Sequence, residues 1–381
     1  MEIYTSEGST SLLCYIIKLA ILSMTSFFIY KNKGEKGKNM RNKRLISLIC
    51  SLSIVTVLMS GCGTKSSESK TEDKKQNAQV EQKQEKKSNY PVEITNYDED
   101  GNEVKVVFKE KPKKVITTNE PPTELLLTLG LEDCMIGTSY LDNPILPELK
   151  EKYDKIPVLS EKYPSKEVVL SKQPDLLFGW SSVFMDKNLG TVKSWNERGV
   201  NTFIQRNSGI MKKATIENAC KDIKDIGKIF DVEDKAEKLV KKIEDRVKEV
   251  ENKTKGKEKL KVLIVEAGEN NKYYAYKEKS LASDMVQKVG GINAAPKGGD
   301  LSVENILKIN PDAIVLINYE MQKSDNKGSD EMKKNKALQK VNAIKNNKVI
   351  DTPLAETYAG GVRIINGLDR FAKGFYPDLI K

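Results

Sequence analysis

The sequence contains no histidine among its 381 residues. That absence removes imidazole general bases, Ser–His and Cys–His nucleophiles, and zinc or manganese sites built on histidine. It also lacks a Gly-x-Ser-x-Gly elbow, a Gly-x-x-x-x-Gly-Lys-Ser/Thr phosphate loop and a Cys-x-x-Cys pair, so no motif supports a serine-hydrolase, nucleotide-hydrolysing or dithiol chemistry. The pairs Gly290-Gly291 and Gly298-Gly299 read as turns. No zinc-finger spacing and no basic run interleaved with aromatics occurs. The net charge is +10, and residues 1–61 hold eight basic and three acidic residues, half of that excess. A mild surplus spread over the remainder is no nucleic-acid footprint, which needs a clustered basic face. Cysteine is scarce, at five residues. Cys14 and Cys50 lie in apolar N-terminal stretches. Cys134 and Cys220 read as two separate buried thiols rather than a disulfide, cysteine being among the most buried residue types.

What is present begins with an address. Met40-Arg-Asn-Lys-Arg precedes the apolar run Leu45–Met59 and then Ser60-Gly61-Cys62, which is a basic n-region, an h-region and a small-residue cleavage site. The run is shorter than the ~20 residues a membrane span needs. Leu58-Met59-Ser60-Gly61-Cys62 resembles the lipobox of bacterial lipoproteins, with Met59 where leucine is usual. The resemblance implies lipidation of Cys62 and residues 40–61 as the signal peptide. Residues 1–39, with a second apolar stretch at Ser11–Tyr30 broken by Lys18, read either as a transmembrane helix or as a mis-called start upstream of Met40. Residues 62–89 are rich in Lys, Glu, Gln and Ser and bury too little to fold, so they read as a disordered tether.

Order begins near Tyr90. Val92–Tyr97 and Glu103–Lys109 alternate in polarity around Asp98-Glu99-Asp100-Gly101, the pattern of a β-hairpin. Lys114–Thr118 is a short β-branched run, and Pro121-Pro122 opens a helix through Leu131. Further strands are expected at Met135–Thr138, Asp175–Phe178, Asn201–Gln205, Leu260–Glu266 and Ala313–Ile317. Helical stretches lie between them, which argues α/β with parallel sheets. Asp234–Thr254 is the strongest helix. Ala236, Leu239, Val240, Ile243, Val247 and Val250 fall on one face. It divides the chain into residues 90–232, a helix at 233–256, and residues 257–381. The halves echo each other. Ser165-Lys-Glu-Val-Val-Leu-Ser-Lys-Gln-Pro-Asp175 and Ser302-Val-Glu-Asn-Ile-Leu-Lys-Ile-Asn-Pro-Asp312 are both Ser-x-Glu, an apolar helical turn, Pro-Asp and an apolar strand. Serine starts each helix as its N-cap and proline stops it. Two similar lobes with a cleft between them suit capture of a small molecule.

From Val92 onward the chain resembles the substrate-binding proteins of ABC importers for siderophores, haem and cobalamin. The resemblance rests on the order of the hairpin, Lys111-Pro-Lys-Lys-Val-Ile, Glu124-Leu-Leu-Leu-Thr-Leu-Gly-Leu, Ile136-Gly137, both Ser-x-Glu…Pro-Asp segments, Ala343-Ile-Lys-Asn-Asn-Lys-Val-Ile and the closing helix Val362–Tyr376. It implies two Rossmann-like lobes joined by a single long helix, no enzymatic activity and no cofactor. It further implies a monomer held to the outer membrane face by its lipid, working with a permease dimer and its ATPase. Glu167 and Glu304 match the two glutamates that dock on the permease, although a carboxylate in a helix's first turn is also favoured by the helix dipole. Ligand contacts come from the loops at the strand ends facing the cleft. The candidates are Asn119 with Glu120, Tyr140, Trp180, Arg206, Tyr274, Asn318 with Tyr319, and Tyr358 with Arg363. Trp180 would stack on a planar or apolar ligand, and the arginines would clamp an anionic one. Without histidine a bare metal ion is a poor cargo. A ferric siderophore or similar iron chelate, which brings its own coordination, is the first expectation, with cobalamin, haem or a non-transport surface role as alternatives.

Overall fold

The computed structural model describes residues 89–268, 272–318 and 327–378. The upstream stretch, the signal peptide, nearly all of the tether, Cys62 and Tyr319 lie outside the described residues.

The chain enters through the expected hairpin, β1 (Val92–Tyr97) antiparallel to β2 (Glu103–Phe108). Asp98 closes the turn by accepting the backbone N–H of Asp100 and Asn102 at 3.0 and 2.8 Å, an Asx turn that explains the aspartate there. The hairpin covers an edge. Asn96, 1% exposed, accepts from Ile204 N–H at 2.8 Å and donates to its carbonyl at 3.1 Å. Its carboxamide thus satisfies an edge strand that would otherwise present unpaired backbone.

Five parallel strands form the first lobe: β3 (Val115–Thr118), β4 (Met135–Ser139), β5 (Val158–Ser160), β6 (Leu176–Gly179) and β7 (Asn201–Ile204), in the order β5-β4-β3-β6-β7. β3 and β6 are buried at every residue, which is why they read as unbroken apolar or β-branched runs. The helices between them are α1 (Glu120–Leu129), α2 (Lys150–Tyr153), α3 (Lys166–Lys172), α4 (Val192–Asn196) and α5 (Ile216–Ile229). α1 stops at Gly130, whose φ of 72° is the left-handed cap glycine takes without strain. The strand order reverses at β3, so the connections leaving β3 and β6 part and open a crevice at the strands' carboxyl ends.

α6 (Glu233–Thr254) is the long dividing helix, 22 residues or about 33 Å. Its buried face is Ala236, Val240, Ile243, Val247 and Val250, with Leu239 half-buried. Gly227 of α5 lets the two helices touch, since a Cβ there would stand 2.5 Å from that of Ala236.

The second lobe contains β8 (Leu260–Ala267), β9 (Tyr273–Ala275), α7 (Leu281–Lys288), β10 (Gly291–Asn293), β11 (Gly299–Leu301), α8 (Val303–Ile309), β12 (Ala313–Asn318), α9 (Lys327–Lys334), α10 (Asn342–Lys345), β13 (Val349–Pro353), α11 (Leu354–Thr357) and α12 (Ile364–Phe375). β8, β10, β12 and β13 run parallel, while β9 pairs antiparallel with β8 and β11 with β9. This sheet is therefore mixed, not wholly parallel as the sequence led us to expect. The link from β8 to β9 spans only residues 268–272, and so short a connection joins antiparallel neighbours.

The twin segments fold as the sequence implied. Ser165 and Ser302 cap α3 and α8 by accepting from Val168 and Asn305 N–H. Each helix ends in a left-handed residue, Gln173 (φ 51°) or Asn310 (φ 46°). The aspartate after each proline then pins the start of the neighbouring strand. Asp175 accepts from Lys113 and Lys114 N–H at 2.7 and 3.0 Å, and Asp312 from Lys261 N–H at 2.9 Å.

One apolar core runs through both lobes. It passes from Ile94 and Phe108 through Ile223, Ile226 and the face of α6 to Met285, Leu368 and Phe371. Polar contacts reinforce the junction: Ala214 N–H to Lys279 O at 2.9 Å, Ile216 N–H to Asp284 at 3.0 Å, Ala355 N–H to Asn143 at 3.0 Å, and an isolated bridge between Asn207 and Ala359. Cys134 and Cys220 are free and buried.

Candidate functional site

The strand ends converge where the lobes meet. β3 delivers Asn119, held at φ 68°, and β4 delivers Tyr140 at φ 54°. Both non-glycine residues take left-handed backbone, a local strain of the kind that gathers at binding sites. Trp180 follows β6. Its indole N–H donates to Gln205 Oε1 at 3.0 Å, and Gln205 donates on to Gly360 O of the other lobe at 2.9 Å. Tyr358 stands edge-on to Trp180 with ring centres 4.9 Å apart.

Between these rings lies a cavity of about 710 Å³. Tyr140, Tyr163 and Trp180 line it from the first lobe, and Tyr276, Leu354 and Tyr358 from the second. Its charged residues are Asp142, Lys162 and Lys187. Tyr140 and Tyr163 meet edge to face at 4.6 Å, and the Tyr163 hydroxyl is 2.8 Å from Ser182 Oγ. The Lys162 ammonium sits over the Tyr140 ring, 4.6 Å from its centre. A smaller hollow of about 250 Å³ shares Tyr276 and Tyr358 and adds Tyr274, Lys277 and Lys279. An aromatic wall of this size with few polar groups suits a small organic ligand or chelate.

Glu120 lies at the base of α1, 1% exposed, and accepts the Asp142 N–H at 3.0 Å. Burial, then the charge of Asp142, pushes its carboxyl up to about 7. A carboxyl whose folded pKa exceeds its ordinary 4.5 favours the folded state at low pH and loses that advantage as pH rises towards 7. Glu120→Gln is therefore expected to match the parent near pH 4 and to exceed it by roughly 3 kcal/mol near pH 8. Urea unfolding at the two pH values checks this, and equal stabilities at pH 8 would reject it.

Both arginines make ion pairs within the protein. Arg206, 7% exposed, is held by Asp222 at 2.6 Å, Asp225 at 2.7 Å and Thr95 O at 3.2 Å. Arg363, 8% exposed, is gripped through Nε and Nη2 by Glu124 of α1, at 2.8 and 2.5 Å, and by Pro144 O. Each guanidinium is paired with a buried carboxylate, Asp222 or Glu124, and Arg206 at the same time lines the smaller hollow. Asn119 is wholly buried, its Nδ2 on Asp142 at 3.3 Å, and Asn318 is tied to Asp351 at 3.0 Å. Of the candidates, Tyr140, Trp180 and Tyr358 line the main cavity, and Arg206, Tyr358 and Tyr274, the last 44% exposed, line the smaller hollow. The reading of the sequence missed Asp142, Lys162, Tyr163, Lys187 and Tyr276. Tyr163 and Lys162 follow β5, and Tyr276 follows β9, two three-residue strands; the same strand-end rule would have found them had those strands been recognised.

A model of the periplasmic binding protein family matches residues 115–355, most of both lobes. The chain belongs to that family. This periplasmic binding protein is 25% identical over 344 residues to an uncharacterised ABC transporter substrate-binding lipoprotein, YvrC, of Bacillus subtilis strain 168, covering 89% of this chain and 99% of that one. It is 27% identical over 318 residues to the petrobactin-binding protein YclQ of the same organism, covering 81% and 90%. Among solved structures, a periplasmic binding protein from Veillonella parvula DSM 2008 superposes with a TM-score of 0.68 at 29% identity, covering 76% and 93%. In this periplasmic binding protein Glu167 and Glu304 occupy the same place in α3 and α8, both exposed. The carboxyl of Glu167 is lowered by its own backbone N–H and Ser165, that of Glu304 by Ser302 and its own backbone N–H, so both are ionised at neutral pH.

Proposed function

We propose that this protein is the substrate-binding lipoprotein of an ABC importer, anchored through lipid on Cys62 at the extracytoplasmic face, and that it captures a ferric siderophore or related iron chelate. The observation that carries the reading is the aromatic cavity between the lobes, lined from both sides and large enough for a chelate. Family membership and the names of the two Bacillus relatives support it. The protein binds and releases its cargo unchanged, and it hands the cargo to a permease that Glu167 and Glu304 engage. A carboxylate pair at the two lobe tips gives charge-assisted contacts to arginines on that partner.

The test is a titration of the protein with ferric hydroxamates, ferric catecholates, ferric citrate, haem and cobalamin. Trp180 lines the cavity whereas Trp195 is fully buried in the core, so bound ligand is expected to quench one of two tryptophans and Trp180→Phe to abolish the signal. Ligand at a hundred times its dissociation constant adds about 2.7 kcal/mol to stability. Binding of haem or cobalamin alone would change the cargo, and no binding anywhere would overturn the assignment.

A further inference from the structure

With Arg206 and Arg363 consumed in ion pairs, the charge left in the main cavity tells what the cargo carries. We propose that Asp142, with the faces of Tyr140 and Tyr163 beside it, is the subsite for a protonated amine of the ligand, which replaces the resident ammonium of Lys162. The inference deepens the reading of the cleft as a chelate site and rests on it.

Asp142 is half-buried and lines the cavity. Among the described residues it makes no ion pair, and its carboxylate accepts only from Asn119 Nδ2, at 3.3 Å. Its charge is felt on both sides of the cleft, since it helps to raise Glu120, Tyr163 and Tyr358. A carboxylate withdrawn from water and left without a cation is costly, and an aromatic face attracts a cation further. The chain supplies a stand-in. The Lys162 ammonium rests on the Tyr140 ring without bonding Asp142; burial raises the Asp142 carboxyl, and the Asn119 amide and then the Lys162 charge only partly oppose that rise. Lys162 is exposed and follows a three-residue strand, so its long side chain can swing to solvent. A bare metal ion fits less well, because no group of three acidic or cysteine side chains suited to one occurs among the described residues. An ammonium in the cavity satisfies carboxylate and ring together. Lys187 lines the same cavity and is left for acceptor oxygens of the chelate.

The experiment uses two matched pairs of ferric chelates on the full-length protein. Ferrioxamine B ends in a primary amine, and its N-acetyl derivative is neutral there. A ferric bis-catecholate of spermidine keeps a secondary amine, and its N-acetyl form does not. The free amine of at least one pair is expected to bind about tenfold more tightly than its acetylated partner, the effect of one charge-assisted contact. Asp142→Asn collapses that ratio towards one, while Lys162→Ala raises affinity for the amine form. The opposite signs separate displacement of a resident cation from a fold defect, and thermal midpoints of both variants check folding. Equal binding of amine and acetylated forms, a ratio unmoved by Asp142→Asn, or a chelate without any amine outbinding all four overturns the amine subsite and leaves the function standing. Failure of every ferric siderophore and of haem and cobalamin to bind removes the function itself.

Discussion

Glu124→Ala lowers the unfolding free energy by about 3–5 kcal/mol, the range for a buried charge stripped of its partner. Glu124 is 1% exposed on α1 of the first lobe, and among the described residues it is ion-paired only with Arg363 of the second. Removing the carboxylate leaves a guanidinium that is 8% exposed, with Pro144 O as its remaining partner. The same pair replaced by apolar residues of like size, Glu124→Leu with Arg363→Met, recovers most of the loss, because the desolvation of both charges then disappears. Denaturant unfolding measures both variants. Because one apolar core passes through both lobes, each is expected to unfold in a single transition. A loss under about 1 kcal/mol for Glu124→Ala would mean that the pair is open to water and does not tie the lobes.

Replacing Glu167 and Glu304 together by alanine abolishes uptake of the cargo by whole cells and leaves its affinity for the isolated protein unchanged. Both carboxylates are exposed and ionised, and neither lines the main cavity. Alanine in a first turn loses only a small helix-dipole contribution, ~0.3–1 kcal/mol per site, so the fold survives. Transport of radioiron as the chelate, beside fluorescence titration of the purified variant, separates the two effects. Weakened binding in the double variant would refute a docking role.

The sequence was most legible where one local signal decides a structure. The Asp98 turn, the buried β-branched runs of β3 and β12 and the apolar face of α6 each carry their own period or cap, and each formed within a residue or two of expectation. So did the twin Ser-x-Glu…Pro-Asp segments, because N-cap, stop and strand pin all lie within eleven residues. β5 and β9 were not legible. At three residues each, with exposed positions, they show no alternation long enough to count. The ion-pair partners of the arginines were not legible for a different reason. The strand-end rule points to Arg206 and Arg363, yet it says nothing of partners. Asp222 and Asp225 lie on one face of α5, and Glu124 is 239 residues from Arg363. Which charge neutralises which is a property of the assembled lobes. Asp142 and Lys162 stayed hidden for the same reason, since isolated charged residues in loops become a site only when two strand ends bring tyrosines around them.

Cys134 and Cys220 are buried thiols, pushed up by that burial to about 12 and 11. At neutral pH each is a protonated, poorly nucleophilic group, and Cys134 even donates to Leu131 O at 2.9 Å. The folded body therefore owes nothing to oxidation. It is expected to reach the same state in a reducing cytosol as on an oxidising surface, and a cysteine introduced at the rim of the cleft would be the reactive thiol a maleimide dye finds first in that body.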